Sequence, residues 1–269
     1  AVTYLNEVFR PDLVVGGGDY VESSGVKPES VKRQLATVDA IFQTLSAPRL
    51  YALGNHDMRS LTKAEVREIL GIEDNHAIRD IGDWRIVVLD TNFNEDGSDR
   101  GQKSYVTGFV SDAERAWLTE ALRTERPVVV FAHHSPVRSP SLKGNFSVNI
   151  TNDFEVREIL EQSGVVMAVV SGHSPYGYYE ERNGIHYFVV DTMVNTLALG
   201  SFATLELRYS KETHEAEMIF HRTGGVNRQI EIVRWVFGTQ KQMPGIFPEH
   251  ISKPSASSAS NPIATDDDF

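Results

Sequence analysis

The chain contains no cysteine. That excludes disulfide bridges and thiolate metal ligands. Any metal site must use histidine, asparagine and carboxylate, a donor set suited to Mn, Fe or Zn rather than to soft ions. No apolar run is long enough to cross a bilayer. Basic residues number 26 against 37 acidic ones, giving a formal net charge of -11. This argues against a general nucleic-acid or anionic-membrane binder. There is no initiator methionine, signal segment or internal repeat. Residues 1–10 read as the second half of an amphipathic helix with no cap before it. A missing upstream segment is therefore expected, and with it any leader; the expected compartment is the cytoplasm. Glycines 16–18 are followed by no Lys-Ser/Thr pair, which weighs against a phosphate-cradling loop.

What is there is an ordinary globular composition over 269 residues, enough to bury a large core. Residues 13–18 and 47–52 are short buried strands. Between them Val31, Leu35, Val38, Ile41, Phe42 and Leu45 recur at helical spacing, with Pro28 suited to a first helical turn. Thr62 opens a short helix with Glu65 completing a capping box, and the charges of that helix read as a solvated face. Residues 75–81 and 84–90 form an antiparallel pair turning at Gly82-Asp83. The acidic stretch 91–103 reads as a surface loop able to rim a site. Ser111 caps a helix with Glu114 at the capping-box position. Residues 127–132 and 165–171 are apolar strands, separated by a helix capped by Asp153. Residues 185–191, 201–209 and 216–221 close the fold as strands. The domain covers residues 1–238. The Pro-, Ser- and Asp-rich residues 239–269 are expected to be an extended or disordered tail.

The ends of four strands carry the chemistry. They deliver Gly18-Asp19, Gly54-Asn55-His56-Asp57, His133-His134-Ser135-Pro136 and Gly172-His173. Each stretch alone also fits a hydrated turn. In open α/β sheets, however, sites collect beyond the carboxyl ends of strands. Four ligand-type side chains brought there from separate strands make a metal site the better explanation.

The order Gly-Asp, Gly-Asn-His-Asp, His-His-x-Pro, Gly-His resembles the calcineurin-like metallophosphoesterase superfamily. Residues 172–187 look like its branch of ADP-ribose and CDP-alcohol diphosphatases. The resemblance implies a four-layer α/β/β/α sandwich of two mixed sheets, its first strand missing from this chain. It implies two divalent ions at one edge, of which one full site is readable here. Asp19 would be the bridging carboxylate, and Asn55, His133 and His173 would complete the second metal. His56 would be the unliganded imidazole over the leaving group, while Asp57 and His134 would orient the ligands. Two such ions clamp a phosphate and hold a hydroxide for in-line attack.

Two departures stand out. No Asp-x-His motif precedes Asp19. Where the family has Gly-His-x-His, this chain reads Gly172-His173-Ser174-Pro175, and proline cannot ligate through its side chain. Metal two is therefore expected to bind best. The expected function is metal-dependent hydrolysis of a phosphodiester, phosphomonoester or nucleotide pyrophosphate in a small substrate. The alternative is a catalytically impaired member that keeps one metal as a binding or scaffold protein.

Overall fold

Six strands form the main sheet in the computed structural model, which describes residues 1–138, 149–174, 177–193, 201–223 and 230–236, with backbone only for Thr223 and the last segment. The predicted tail, 239–269, and Pro175 lie outside the described residues. A helical segment, α1 (Val2–Tyr4) continuing as a wider π-type turn over Leu5–Phe9, precedes β1 (Val14–Gly16), α2 (Pro28–Phe42) and β2 (Arg49–Tyr51). Then come α3 (Asn55–Met58), α4 (Lys63–Leu70), β3 (Ala77–Ile81), β4 (Trp84–Leu89), α5 (Asp112–Ala121), β5 (Val128–Ala132), α6 (Asp153–Ser163) and β6 (Val166–Ser171). The chain continues through β7 (Tyr178–Arg182), β8 (Ile185–Val189), β9 (Phe202–Ser210), β10 (Glu215–Thr223) and β11 (Ile230–Val236).

The main sheet has the order β3-β4-β5-β6-β8-β7. Strands β4, β5, β6 and β8 are parallel, with β3 and β7 antiparallel at the edges. The unbroken apolar runs of β5 and β6 follow from burial on both faces, which a parallel sheet imposes. Alternation then sorts the side chains. Val128, Val130 and Ala132 join Leu118 and Leu122 of the α5 segment and Val156 and Leu160 of α6. Val129 and Phe131 face the other way, onto Ala216, Met218 and Phe220 of β10 and onto Leu205 and Leu207 of β9. Leu13, Val15 and Leu50, from β1, β2 and the residue before them, pack against that same cluster. A third cluster seats Val31 and Leu35 of α2 and Val66 and Leu70 of α4 around Tyr51 and Leu53.

The mixed sheet flanked by helices is as expected. Outside the main sheet, the described residues form the parallel pair β1-β2 and the antiparallel β11-β10-β9. Four local readings change. Gly54 to Asp57 is not an open turn but the entry to the single turn α3. Glu114 does not close a capping box: Ser111 Oγ accepts its N–H, but its carboxylate turns to the Asp90 N–H and to His76. Asp153 is the first residue of α6, and Asn152 holds the cap position. Lys63 is not on a solvated face. Its side chain is 1% exposed, pairs with Asp90 at 2.7 Å and Asp99 at 2.8 Å, and lies 3.5 Å over the Phe93 ring. A buried ammonium requires such partners. No helix among the described residues is long and apolar enough to cross a membrane.

Candidate metal centre

Strands β1 and β2 run parallel to each other, as do β5 and β6. Their carboxyl ends therefore open on common edges, and Asp19, Asn55, His133 and His173 all follow such ends. The approach is close. Gly18 has φ +89°, and a Cβ there would sit 2.5 Å from His133 Nδ1. A Cβ on Gly54 would overlap the Asp19 carboxylate. Only glycine fits at both positions. Asp19 and His173 are themselves in the left-handed region, at φ +57° and +63°, a backbone cost that surrounding structure must hold in place.

Asp57 does much of that holding. Its buried carboxylate accepts the backbone N–H groups of Asp19 at 2.9 Å, Tyr20 at 2.7 Å, Val21 at 3.3 Å and Gly54 at 2.9 Å. Burial pushes this carboxyl up to about 7, and the charge of Asp19 adds to the rise, against the pull of the Gly54 and Tyr20 N–H groups. The loop after β1 and the loop after β2 are thus tied by one side chain. In return the His56 N–H donates to Asp19 Oδ1 at 2.9 Å.

His133 is where the four strand-end residues meet. Its Nδ1 lies 2.8 Å from the Gly17 carbonyl, which can only accept, so the proton sits on Nδ1. Its Nε2 then lies 3.2 Å from Asp19 Oδ2, 3.2 Å from Asn55 Oδ1 and 3.1 Å from His173 Nδ1. The Asn55 amide is oriented by its other end, where Nδ2 donates to the Tyr105 carbonyl at 2.7 Å. A carboxylate oxygen, an amide oxygen and two imidazole nitrogens are brought to one point. That is a donor set a divalent Mn, Fe or Zn ion fits, so these residues match the metal the motif implies. Burial would raise the Asp19 carboxyl, but the neighbouring histidines, His133 foremost and then His56 and His173, together outweigh it and hold it below the usual carboxylate range. Burial lowers His173 to about 3, and the charge of His133 adds to this. A neutral ring is the form that ligates.

His56 lies beside these groups rather than among them. Its Nδ1 pairs with Glu22 Oε2, and its carbonyl accepts from Ser23 Oγ. Arg59 Nη1 reaches the other Glu22 oxygen at 3.2 Å and also bonds Ser24 Oγ. A carboxylate on Nδ1 orients the ring and decides which of its nitrogens is left for other partners. His134 is fully buried, with Nδ1 2.7 Å from Thr91 Oγ1. The structure thus gathers all seven expected residues into one region.

Sequence reasoning missed Glu22, Thr91, Asn92 and Tyr105. Asn92 is fully buried, donates to the Leu53 carbonyl at 2.7 Å and accepts from Tyr105 OH at 2.8 Å. The acidic loop therefore does rim the site, through its buried first residues. A signal existed: Thr91-Asn92 directly follow a strand end, as the other site residues do.

A family model for calcineurin-like phosphoesterases matches residues 1–177. The chain belongs to that family. Every residue of the cluster lies within the matched stretch. The chain is 26% identical over 195 residues to a probable cyclic nucleotide phosphodiesterase of Rhodococcus erythropolis, covering 70% of this chain and 59% of that one. It is 28% identical over 130 residues to the 3',5'-cyclic adenosine monophosphate phosphodiesterase CpdA of Pseudomonas aeruginosa, covering 48% and 41%. The chain thus spans about half the length of the curated relatives it matches. Among solved structures, a dimetal phosphatase from Danio rerio superposes with a TM-score of 0.61 at 14% identity, over 86% of this chain and 85% of that one. This calcineurin-like phosphoesterase shares that fold.

Proposed function

We propose that this calcineurin-like phosphoesterase hydrolyses a phosphodiester or pyrophosphate bond in a small nucleotide-like substrate, with divalent metal. The observation that carries the reading is the convergence of Asp19, Asn55 and His173 on His133 Nε2. The names of the two curated relatives support a nucleotide phosphodiester as substrate.

Asp19, Asn55, His133 and His173 would hold the metal. When bound, divalent ions supply Lewis acidity toward phosphoryl oxygens and a nucleophilic water at neutral pH. The remaining work falls to the chain. Asp57 fixes the backbone that presents Asp19, and Tyr105 fixes the amide of Asn55. Water adds to phosphorus, the ester bond breaks, and His56 gives the departing oxygen its proton. Glu22 holds His56 by Nδ1 so that Nε2 makes that transfer.

The test is hydrolysis of a generic aryl phosphodiester with added Mn. Wild type is expected to turn over, Asn55→Ala to lose metal-dependent rate, and His56→Ala to lose rate with metal still bound. Equal rates in all three remove the proposal.

A further inference from the structure

Lys63 is a buried ammonium that the proposed chemistry leaves unused. It opens α4, and its Nζ meets Asp90 at 2.7 Å and Asp99 at 2.8 Å, with the Phe93 ring 3.5 Å away. Asp99 is mostly exposed, whereas Asp90 is as buried as Lys63. Replacing a buried ion pair by apolar residues is often neutral in stability. Stability alone is therefore a weak reason for this pair, and what Asp90 holds gives a stronger one.

Asp90 Oδ1 accepts from the Asn92 backbone N–H at 2.9 Å and from Asn92 Nδ2 at 3.2 Å. The same Nδ2 donates to the Leu53 carbonyl at 2.7 Å. Asn92 Oδ1 accepts from Tyr105 OH at 2.8 Å. Both amide hydrogens and the amide oxygen of this buried side chain are thus taken. A carboxylate can only accept, so Asp90 decides which way round the amide lies. Turned over, its oxygen would face two acceptors.

Both groups that Asn92 holds lead to Asn55. Leu53 lies two residues before it in the chain. The Tyr105 carbonyl accepts from Asn55 Nδ2 at 2.7 Å, and Asn55 Oδ1 then lies 3.2 Å from His133 Nε2.

We infer that Lys63 is a positioning residue of the metal centre. By neutralising Asp90 it locks the Asn92 amide, which holds Leu53 and Tyr105, and these set the donor oxygen of Asn55. The inference rests on the metal centre of the proposed function. Lys63 itself touches neither metal nor substrate.

The experiment uses the full chain with manganese alone. Titration gives the manganese Kd, and melting without metal gives Tm. Groups that orient metal ligands are worth about 10–100-fold in metal affinity. Lys63→Met loses the charge, and it is expected to weaken manganese binding about tenfold. In an Asn55→Ala background the same change is expected to add about twofold or less, because the oxygen it positions is gone. A lysine with only a structural role would lower Tm and leave Kd where it was. An unchanged Kd in Lys63→Met, or a loss that adds in full to that of Asn55→Ala, overturns the inference and leaves the metal centre standing. If Asn55→Ala binds too weakly to measure, the Kd of Lys63→Met decides alone. If Lys63→Met fails to fold, Tyr105→Phe decides, since it removes only the hydroxyl that donates to Asn92. A several-fold weaker Kd then supports the inference, and a Kd equal to wild type overturns it. A wild-type chain that binds no manganese, zinc or iron would overturn both this inference and the proposed function.

Discussion

Glu22 and His56 are 34 positions apart, yet one carboxylate oxygen meets one ring nitrogen. Glu22 is held below the ordinary glutamate range: burial would raise it, but the Ser24 N–H and hydroxyl, with the charges of His56 and Arg59, outweigh that. The carboxylate is therefore charged where the ring needs an acceptor. His56→Ala is expected to cost ~10²–10⁴ in kcat, the usual worth of a positioned acid or base. Glu22→Gln should cost less, because an amide oxygen still accepts from Nδ1. Kinetics on the aryl phosphodiester should show both losses in kcat with KM little changed; a Glu22→Gln enzyme as fast as wild type would remove Glu22 from the mechanism. The sequence made His56 legible because Gly-Asn-His-Asp is compact and ends a strand. It could not pair His56 with Glu22, because only the fold brings the two loops together.

At the scale of elements, Glu114 shows both what a pattern predicts and where it stops. Ser111 does cap α5. Tertiary partners won the glutamate, which links α5 to the end of β4 and to His76 before β3. The His76 ring also stacks on Trp117 at 3.8 Å. Burial would lower His76, but the bond to Glu114 outweighs it and the net shift is upward. A histidine raised in the folded state adds stability that is complete below its unfolded value, about 6.5, and is lost as pH rises through the folded value. Melting with saturating metal should therefore show a Tm that falls between pH 6 and pH 8, and the fall should be smaller in His76→Gln. An equal fall in both would clear His76 of the effect. The apolar runs of β5 and β6 were readable because burial on both faces leaves a run of Val and Ala. The hairpin β7-β8 was not read, although Asn183 at φ +51° and Gly184 at φ +78° form its turn. Asn-Gly between strand-like runs is a strong hairpin signal. Here the charges of Glu180, Glu181 and Arg182 masked the strand before it.

For the whole molecule, the site joins parts of the chain that are distant in sequence, so metal and fold are linked. A ligand that binds only the native state stabilises it by about 2.7 kcal/mol at 100 times its Kd. Thermal melts should show Tm rising with added Mn or Zn and falling back with chelator, and His173→Ala should flatten the response. A Tm indifferent to metal in wild type would argue against a preformed centre. The order of motifs pointed to the carboxyl ends of β1, β2, β5 and β6, whose following residues the fold brings together. It did not give the pairing of β1 with β2 or of β9, β10 and β11, because strand pairing is set by register rather than by local pattern.

The four N–H groups gathered by Asp57 belong to two different loops. Those loops consequently cannot be exchanged one at a time. A graft that brings in a new segment after β1 but leaves the old one after β2 would break the shared anchor, so redesign here must transplant the two as a matched set or work on the segment that carries Thr91, Asn92 and Tyr105.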